Sequence, residues 1–379
     1  MKKKILFIMP SLSGGGAEKV LIDILKHFDY ASYEVTLFLE FKEGTYLNDL
    51  PNEVRLLALH PKNTIWFERL HRILRTFHCY AFVHALVYKL LFLNLLKEDK
   101  FDTVISFMEG AAVKFHSYIM HKAVNNLSWV HIDLKQKHWS LDFFQDSEEE
   151  FKVYLKMNKI VFVSEDAKRS FLELYAINPD ICAVVYNLID KDVIQGIAAS
   201  GNIVKRKFTI CMVGRLNRQK RYDRALRVAR LLKDAGHDFD LWIIGEGSLE
   251  DSLKAMSCEY KVNDCVHFWG FKKPSYTYMK ASDLFLNTSE AEGYPLVICE
   301  ALCLGLPIVA TNISGANEIL AQSEYGLLVS EKEEDIYKGV KRLIDDTDLR
   351  RKYSQKALLR AEMFDVSGTM GQIYKLFYE

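Results

Sequence analysis

Short apolar runs alternate with helix-forming stretches along two separate parts of this 379-residue chain. In the first part, the run 5–9 precedes a helical stretch over 17–28 and a second strand-like run over 34–39. Units of this kind place their strands parallel in one sheet and their helices on its faces. The alternation therefore predicts an α/β chain built from doubly wound sheets.

The alternation stops near residue 187 and restarts at a new strand-like run, 208–213. The small and polar stretch 195–201 lies between them and is typical of a linker. A chain of this length is long enough for two domains of ordinary size. We therefore predict a first Rossmann-like domain over 1–190 and a second over 191–365.

Charge and cysteine content restrict the classes of partner and compartment. Lysine plus arginine and aspartate plus glutamate number 50 each, so no basic excess indicates a nucleic-acid partner. The seven cysteines are scattered without Cys-x-x-Cys pairs, as in reduced core positions. The first apolar run is too short for a signal peptide and lacks a cleavage site. We therefore expect a cytoplasmic protein.

The stretch from Glu292 to Glu300 is the best candidate for a ligand site. It follows the strand-like run 283–287, and Pro295 suits a first helical position because its missing N–H would be unpaired there. Two carboxylates, Glu292 in the loop and Glu300 in the helix, frame this helix start. Free N–H groups with the helix dipole behind them bind phosphate, and three residues supply them here: Tyr294, Leu296 and Val297.

Two cations follow the first strand of the second sheet, where they can reach the same crevice. Arg215 has a guanidinium that forks onto two phosphate oxygens, and Lys220 has an ammonium that acts as a point charge. Together they predict a clamp for a diphosphate. The alternative is that they are solvated charges that cap a helix.

The first domain offers two further candidates. Three glycines at 14–16 follow the first strand, but Lys19 stands where a dinucleotide fingerprint requires its third glycine. What is left is an open loop in which the backbone of Gly15 and Gly16 can approach a ligand, or a flexible turn. His131 lies just past a strand's carboxyl end, where ligands bind in open α/β sheets, although a lone histidine is often structural.

Five motifs stand in order along nearly the whole chain. They are Gly-Gly-Ala-Glu at 15–18, Val-Gly-Arg-Leu at 213–216 with Lys220, Ile-Gly-Glu-Gly at 244–247, Glu292 and Gly293 with Glu300, and Ser-Gly at 314–315 with Glu318. The ordered set resembles the retaining glycosyltransferases of family four. The resemblance implies a GT-B fold of two Rossmann-like domains that face a central cleft. It also implies that a last helix, within 366–379, crosses back to the first domain.

The resemblance implies roles for individual residues. Glu300 looks like the glutamate that binds the ribose, and Glu292 like the glutamate near the transferred sugar. Arg215 and Lys220 look like the diphosphate clamp. His131 resembles the first-domain histidine that contacts the sugar.

Further positions complete the implied donor site. Phe271 sits where the family contacts the base, and Gly15 and Gly16 match the loop that meets phosphate and acceptor. The other implied donor-binding positions are Gly214, Gly293, Tyr294, Leu296 and Val297. One departure is Arg221, where many members of the family have glycine, and it bears on the local shape of the loop.

The resemblance implies a hexosyl-type transfer from a nucleotide-diphosphate sugar, with a UDP-sugar as the expected donor, to a hydroxyl acceptor. The expected setting is the synthesis of bacterial cell-surface polysaccharide or glycolipid. The clamp and the helix start would stabilise charge on the departing diphosphate without a metal, and we expect no cofactor. Two alternatives stay open: an epimerase or phosphorylase of the same architecture, and a nucleotide-sugar-binding protein without catalysis.

Residues 63–97 form a basic and aromatic segment. Six apolar residues recur there at helical spacing beside Arg69, Arg72 and Arg75, and they are Trp66, Phe67, Leu70, Ile73, Leu74 and Phe77. This pattern predicts an interfacial helix on the inner face of a membrane, near a lipid-linked acceptor. An ordinary domain helix with solvated arginines is the alternative. Polar residues interrupt the apolar run 79–96, so a spanning helix is not expected.

Overall fold

The computed structural model describes residues 2–61 and 84–378, with the side chains of 84 and 85 left out. The chain divides into two compact units. The first is Met1–Leu188 with Val366–Glu379, and the second is Ile189–Asp365. The first unit ends at Leu188, and the predicted end of the first domain is residue 190.

The first unit is built on a parallel sheet of seven strands in the order β3-β2-β1-β4-β5-β6-β7. The strands are β1 (Lys3–Met9), β2 (Tyr33–Phe41), β3 (Arg55–His60), β4 (Phe101–Ser106), β5 (Ala123–Val130), β6 (Lys159–Phe162) and β7 (Cys182–Val184). Ile5 of the central strand pairs with Val35 on one side and Thr103 on the other. Residues 5–9 are fully buried, as expected of a strand that is covered on both faces.

Helices cover this sheet. In chain order they are α1 (Gly16–Lys26), α2 (Lys89–Leu95), α3 (Ala111–Ile119), α4 (Ser147–Tyr154) and α5 (Glu165–Leu174). The strand order reverses between β1 and β4, which is the arrangement of a doubly wound sheet.

The last helix of the chain belongs to the first unit. The Tyr374 ring stacks on the Tyr33 ring with centroids 5.3 Å apart, and its hydroxyl accepts the backbone N–H of Asp29 at 2.8 Å. The Asn125 amide donates to the carbonyl of Leu376 at 2.7 Å. Aromatic packing and backbone hydrogen bonds thus hold the C-terminal segment on this sheet.

The second unit repeats the pattern with a parallel sheet of six strands in the order β10-β9-β8-β11-β12-β13. The strands are β8 (Phe208–Val213), β9 (Phe239–Ile244), β10 (Val266–Phe268), β11 (Leu284–Asn287), β12 (Ile308–Thr311) and β13 (Leu327–Val329). The helices are α6 (Lys191–Ala199), α7 (Tyr222–Asp234), α8 (Glu250–Glu259), α9 (Tyr276–Ala281), α10 (Leu296–Cys303), α11 (Ala316–Leu320), α12 (Glu333–Asp345) and α13 (Thr347–Ala361), and the helix of the C-terminal segment is α14 (Val366–Lys375).

The prediction of a linker over 195–201 is wrong for most of that stretch, because helix α6 occupies it. The Asp190 carboxylate caps the helix by accepting the N–H of Val193 at 3.0 Å. Ile194 and Ala198 are buried at helical spacing. Small residues indicated a loop, but Ala198 is buried one turn after Ile194, and this buried face stabilises a helix instead.

The predicted interfacial helix falls mainly on residues 62–83, which lie outside the described part of the chain. After it come a π-helical turn, His84–Tyr88, and helix α2. Phe92 and Leu96 pack into the first unit, whereas four apolar side chains of this region are exposed: Leu86, Val87, Leu90 and Leu91. Within 2–61 and 84–378, no helix is both long and apolar enough to span a membrane.

Candidate functional site

Loops at one edge of the second sheet touch one another at glycines. Gly245 follows β9 with φ +145°, and a Cβ built on it would lie 2.0 Å from the carbonyl oxygen of Gly214. Gly315 has φ +71°, and a Cβ there would lie 2.3 Å from the carbonyl oxygen of Gly293. No side chain fits in either space. The loops after β8, β9, β11 and β12 therefore meet at the carboxyl ends of the parallel strands, where such sheets bind ligands.

Helix α10 begins at this edge with an uncapped first turn. Pro295 is the N-cap residue, so the helix starts one residue later than predicted, at Leu296. No side chain of the described chain caps it. The N–H groups of Leu296 and Val297 thus stand at the positive end of the helix dipole, while the Tyr294 ring is buried beneath the loop.

The structure brings Lys220 and Glu292 together. The Lys220 ammonium forms an ion pair with Oε1 of Glu292, and the Ser289 hydroxyl donates to the same oxygen at 2.9 Å. The two side chains are only 19% and 13% exposed, so water screens the pair less than it would at the surface. Lys220, which was predicted to bind phosphate, and Glu292, which was predicted to lie near the sugar, are therefore in direct contact.

Hydrogen bonds fasten the loop of Lys220 to the loop of Glu292. The Thr288 hydroxyl lies 2.9 Å from the carbonyl oxygens of both Lys220 and Arg221, to which it donates. The side-chain amide of Gln219 donates to the carbonyl of Ala291 at 2.6 Å, and the backbone carbonyl of Gln219 accepts the N–H of Glu290 at 2.9 Å. Thr288 is 1% exposed, so these bonds are shielded from water.

Arg221, the departure from the family pattern, has a left-handed backbone with φ +51°. Glycine adopts this conformation without a steric penalty, which explains why glycine suits the position. In this chain the guanidinium donates twice to the Asp223 carboxylate, at 3.0 Å each, and once to Glu290 at 3.4 Å. The side chain thus adds contacts to a turn that the backbone already forms.

The remaining predicted donor residues lie around the same edge. Glu300 is 5% exposed in α10, and the Tyr276 hydroxyl donates to it at 3.4 Å. Arg215 follows Gly214 with its side chain exposed. The backbone N–H of Phe271 donates to the Glu246 carboxylate at 3.2 Å, and the Phe271 ring is exposed. Glu246 belongs to the Gly-Glu-Gly motif but was not predicted as a site residue.

His131 lies in the first unit, directly after β5. Its ring packs on the Phe107 ring with centroids 5.0 Å apart, and its Nε2 is buried without a hydrogen-bond partner among the described residues. Burial lowers the pKa of His131 to about 3, so the imidazole is neutral at neutral pH. Glu109, which the sequence did not single out, accepts the backbone N–H of His131 at 3.0 Å. The sequence signal that could have identified Glu109 is its position between the end of β4 and Gly110.

The glycine loop of the first unit leads into helix α1. Gly14 has φ +97°, and Gly15 is the N-cap residue, with no side-chain cap on the first turn that Gly16 begins. A Cβ on Gly15 would lie 2.1 Å from Oε2 of Glu18. The missing side chain therefore lets the Glu18 carboxylate lie close to the helix start.

Asp-x-Asp triplets occur at 190–192, 238–240 and 346–348, a spacing that other glycosyltransferase architectures use for metals. Asp190 and Asp346 are helix caps, which accept the N–H groups of Val193 and Leu349. Asp240 lies 3.1 Å from Nε2 of His267. No group of three or more His, Cys, Asp or Glu side chains that could hold a metal ion occurs in the described ranges.

Comparison with known proteins places the chain in a family. A family model described as "Glycosyltransferase Family 4" matches residues 14–193, and one described as "Glycosyl transferases group 1" matches residues 194–360. The two matches adjoin and leave only the ends of the chain uncovered.

Two individual relatives are named as glycosyltransferases. The N-acetylgalactosamine-N,N'-diacetylbacillosaminyl-diphospho-undecaprenol 4-alpha-N-acetylgalactosaminyltransferase of Campylobacter jejuni is 34% identical over 215 residues, which are 56% of this chain and 58% of that protein. An uncharacterized glycosyltransferase of Haemophilus influenzae is 27% identical over 97% of both chains. Anabaena HepE, solved with UDP and glucose, superposes with a TM-score of 0.75 at 19% identity over 98% of both chains. The fold is GT-B, and the chain belongs to the group 1 glycosyltransferases.

Proposed function

We propose that this protein is a retaining, metal-independent glycosyltransferase that moves a hexose-type sugar from a UDP-sugar to a hydroxyl of a saccharide or lipid-linked saccharide. The observation that carries the proposal is the convergence of Lys220, Glu292 and the start of α10 at one edge of the second sheet. A cation, a carboxylate and free backbone N–H groups are the groups that sugar transfer from a diphosphate requires.

The leaving diphosphate is stabilised by three kinds of donor. The Lys220 ammonium and the exposed Arg215 guanidinium supply positive charge, and the N–H groups of Leu296 and Val297 supply the positive end of a helix dipole. Charge on the β-phosphate grows as its bond to the sugar breaks, so these groups interact more strongly with the transition state than with the bound donor.

Glu292 has a separate electrostatic role. When a diphosphate attracts the Lys220 ammonium, the Glu292 carboxylate keeps the Ser289 hydroxyl and loses part of its counter-charge. A carboxylate in that state stabilises the positive charge that develops at the anomeric carbon. Glu300, buried on α10 beside the Tyr276 hydroxyl, is suited to accept hydroxyl protons of the ribose.

His131 is proposed to contact the transferred sugar. A buried nitrogen without a hydrogen-bond partner costs about 1–3 kcal/mol, which a sugar hydroxyl can relieve. The neutral imidazole that burial enforces can accept such a bond at Nε2, because the ring donates its one N–H to the backbone of Phe107.

The relatives support the proposed donor and acceptor classes. HepE was solved with UDP and glucose, which supports uridine as the base. The Campylobacter relative is named for transfer to a diphospho-undecaprenol-linked saccharide, which supports a lipid-linked acceptor in glycolipid or polysaccharide synthesis. We further propose peripheral docking on an anionic membrane, because the basic and aromatic segment 63–97 includes four exposed apolar side chains: Leu86, Val87, Leu90 and Leu91.

One experiment tests the core of the proposal. Calorimetric titration with UDP, GDP and ADP identifies the base, and incubation with UDP-glucose, UDP-galactose, UDP-N-acetylglucosamine and UDP-N-acetylgalactosamine identifies the sugar. NMR of the first-formed product should show an anomeric configuration equal to that of the donor. Inversion would contradict retention, conversion of the donor to its epimer without acceptor would indicate an epimerase, and binding without turnover or hydrolysis would indicate a non-catalytic protein.

A further inference from the structure

A buried carboxylate of the first unit lies directly behind His131. Glu109 is 3% exposed, and its Oε2 accepts the backbone N–H of His131 at 3.0 Å. The Trp139 indole gives the same carboxylate a further side-chain hydrogen bond. Glu109 therefore links His131 to Trp139. It also accepts a backbone N–H that lies beyond the end of β5 and so has no partner in the sheet.

Close packing around Glu109 restricts the positions of Trp139 and His131. Gly110 has φ +73°, and a Cβ on it would lie 2.9 Å from the Trp139 ring and 3.1 Å from the Phe143 ring. The absence of a side chain thus lets Trp139 press against the loop. On the other side the Phe107 ring supports the His131 ring. His131 is held at its backbone by Glu109 and at its ring by Phe107.

Two titratable side chains near Glu109, those of Glu150 and Tyr154, are themselves buried. Glu150 is 0% exposed, and its carboxylate is hydrogen-bonded by His138 Nε2 at 2.8 Å and by the Tyr175 hydroxyl at 2.7 Å. Tyr154 faces the same region, also at 0% exposure. Burial, with a smaller contribution from the charge of Glu150, raises the pKa of Glu109 to about 7. The carboxylate therefore changes charge near neutral pH.

We propose that Glu109 is a positioning residue for His131: its carboxylate fixes the backbone of His131 and thereby the direction in which the imidazole meets the sugar of the donor. The inference rests on the proposed function, in which His131 contacts that sugar. An ionised carboxylate accepts an N–H more strongly than a protonated one does. Acidification through pH 7 therefore loosens the hold on His131.

The first test needs no activity. Protein labelled with ¹⁵N-histidine shows at most 11 backbone amide signals, and the signal of His131 is the one missing in His131→Gln. We expect its amide proton shift to titrate with a midpoint near pH 7, the titration to vanish in Glu109→Gln, and amide exchange to quicken at least roughly tenfold in Glu109→Ala. An amide that neither titrates nor exchanges faster in these variants would overturn the inference.

The second test is kinetic, with UDP-N-acetylgalactosamine as the donor. We expect His131→Ala and Glu109→Ala each to lower kcat by roughly 10- to 100-fold, the double variant to be no slower, and the UDP affinity to be unchanged. Glu109→Gln keeps an oxygen acceptor, so it should retain most of kcat and lose the acidic limb of the pH profile near pH 7. Additive losses in the double variant would contradict positioning through His131.

A matched control separates positioning from stability. His116 is a buried histidine of the first unit, where it contacts Ser106 and Asn126. His116→Gln should lower stability and leave kcat and the pH profile unchanged. If the chain binds no UDP and turns over no sugar nucleotide, the proposed function fails, while the amide titration still decides whether Glu109 holds His131.

Discussion

Lys220 and Glu292, 72 residues apart in the sequence, form an ion pair at the edge of the second sheet. In the proposed reaction the diphosphate competes with Glu292 for the ammonium. Donor binding thus rearranges a charge pair that the fold has already built, and each partner can be tested separately.

Lys220→Ala should lower kcat/KM at least roughly 100-fold, because a lost charge-assisted donor to the leaving group is worth about 3 kcal/mol. Arg215→Ala should have an effect of the same order. Steady-state kinetics with the active UDP-sugar measures both. Lys254→Ala, which removes a lysine paired with Glu250 on α8, is the control and should leave kcat/KM unchanged.

Glu292→Gln and Glu300→Gln should affect different steps. Glu292→Gln should mainly lower kcat, since the carboxylate is proposed to face the charge that develops on the sugar. Glu300→Gln should mainly raise KM and the UDP dissociation constant, since it is proposed to bind the ribose. Kinetics combined with UDP calorimetry measures the split, and equal changes of both parameters in both variants would refute the assignment of roles.

Activity should persist after treatment with a chelator. The proposed stabilisation of the diphosphate uses Arg215, Lys220 and backbone N–H groups, none of which requires a divalent ion. Turnover after EDTA treatment and desalting should match that of untreated protein. Loss of turnover that magnesium restores would show that the clamp does not act alone.

His116 should make the first domain less stable in acid. Burial lowers its pKa to about 4 from an unfolded value near 6.5, so the unfolded chain binds the proton more readily. Its contribution is complete above pH 6.5 and is lost as the pH falls towards 4, by about 3 kcal/mol at most. Denaturant unfolding of wild type and His116→Gln should show a difference in unfolding free energy that shrinks over this window. A difference that does not change with pH would contradict the buried neutral imidazole.

Membrane docking should depend on the exposed face around α2. Leu86→Glu/Leu90→Glu should release the protein from anionic vesicles in flotation at low salt, and so should charge reversal at Arg69, Arg72 and Arg75. Val204→Glu/Leu359→Glu is a matched control, because both residues are exposed apolar side chains of the second unit. Wild-type protein that does not float with anionic vesicles would refute the docking proposal.

The type and order of most elements can be predicted from the amino-acid sequence alone. β8 has the predicted bounds, 208–213, and β11 starts one residue after the start of the predicted run 283–287, because buried parallel strands read as continuous apolar runs. Local chemistry also predicted a helix start at Pro295, which is one residue before the observed start at Leu296. The stretch 195–201 was misassigned because small residues suit both a loop and a packed helix, and only burial of Ile194 and Ala198 distinguishes them.

Which of the predicted residues contact one another depends on the folded arrangement of the strands. No spacing in the sequence shows that Lys220 contacts Glu292, because that contact depends on β8 and β11 lying side by side in the sheet. Glu109 was missed for the same reason: its function lies in a hydrogen bond to His131, on the neighbouring strand's loop. Periodicity and capping are local and can be read along the chain, whereas ion pairs and buried hydrogen bonds depend on strand order, which only the folded chain defines.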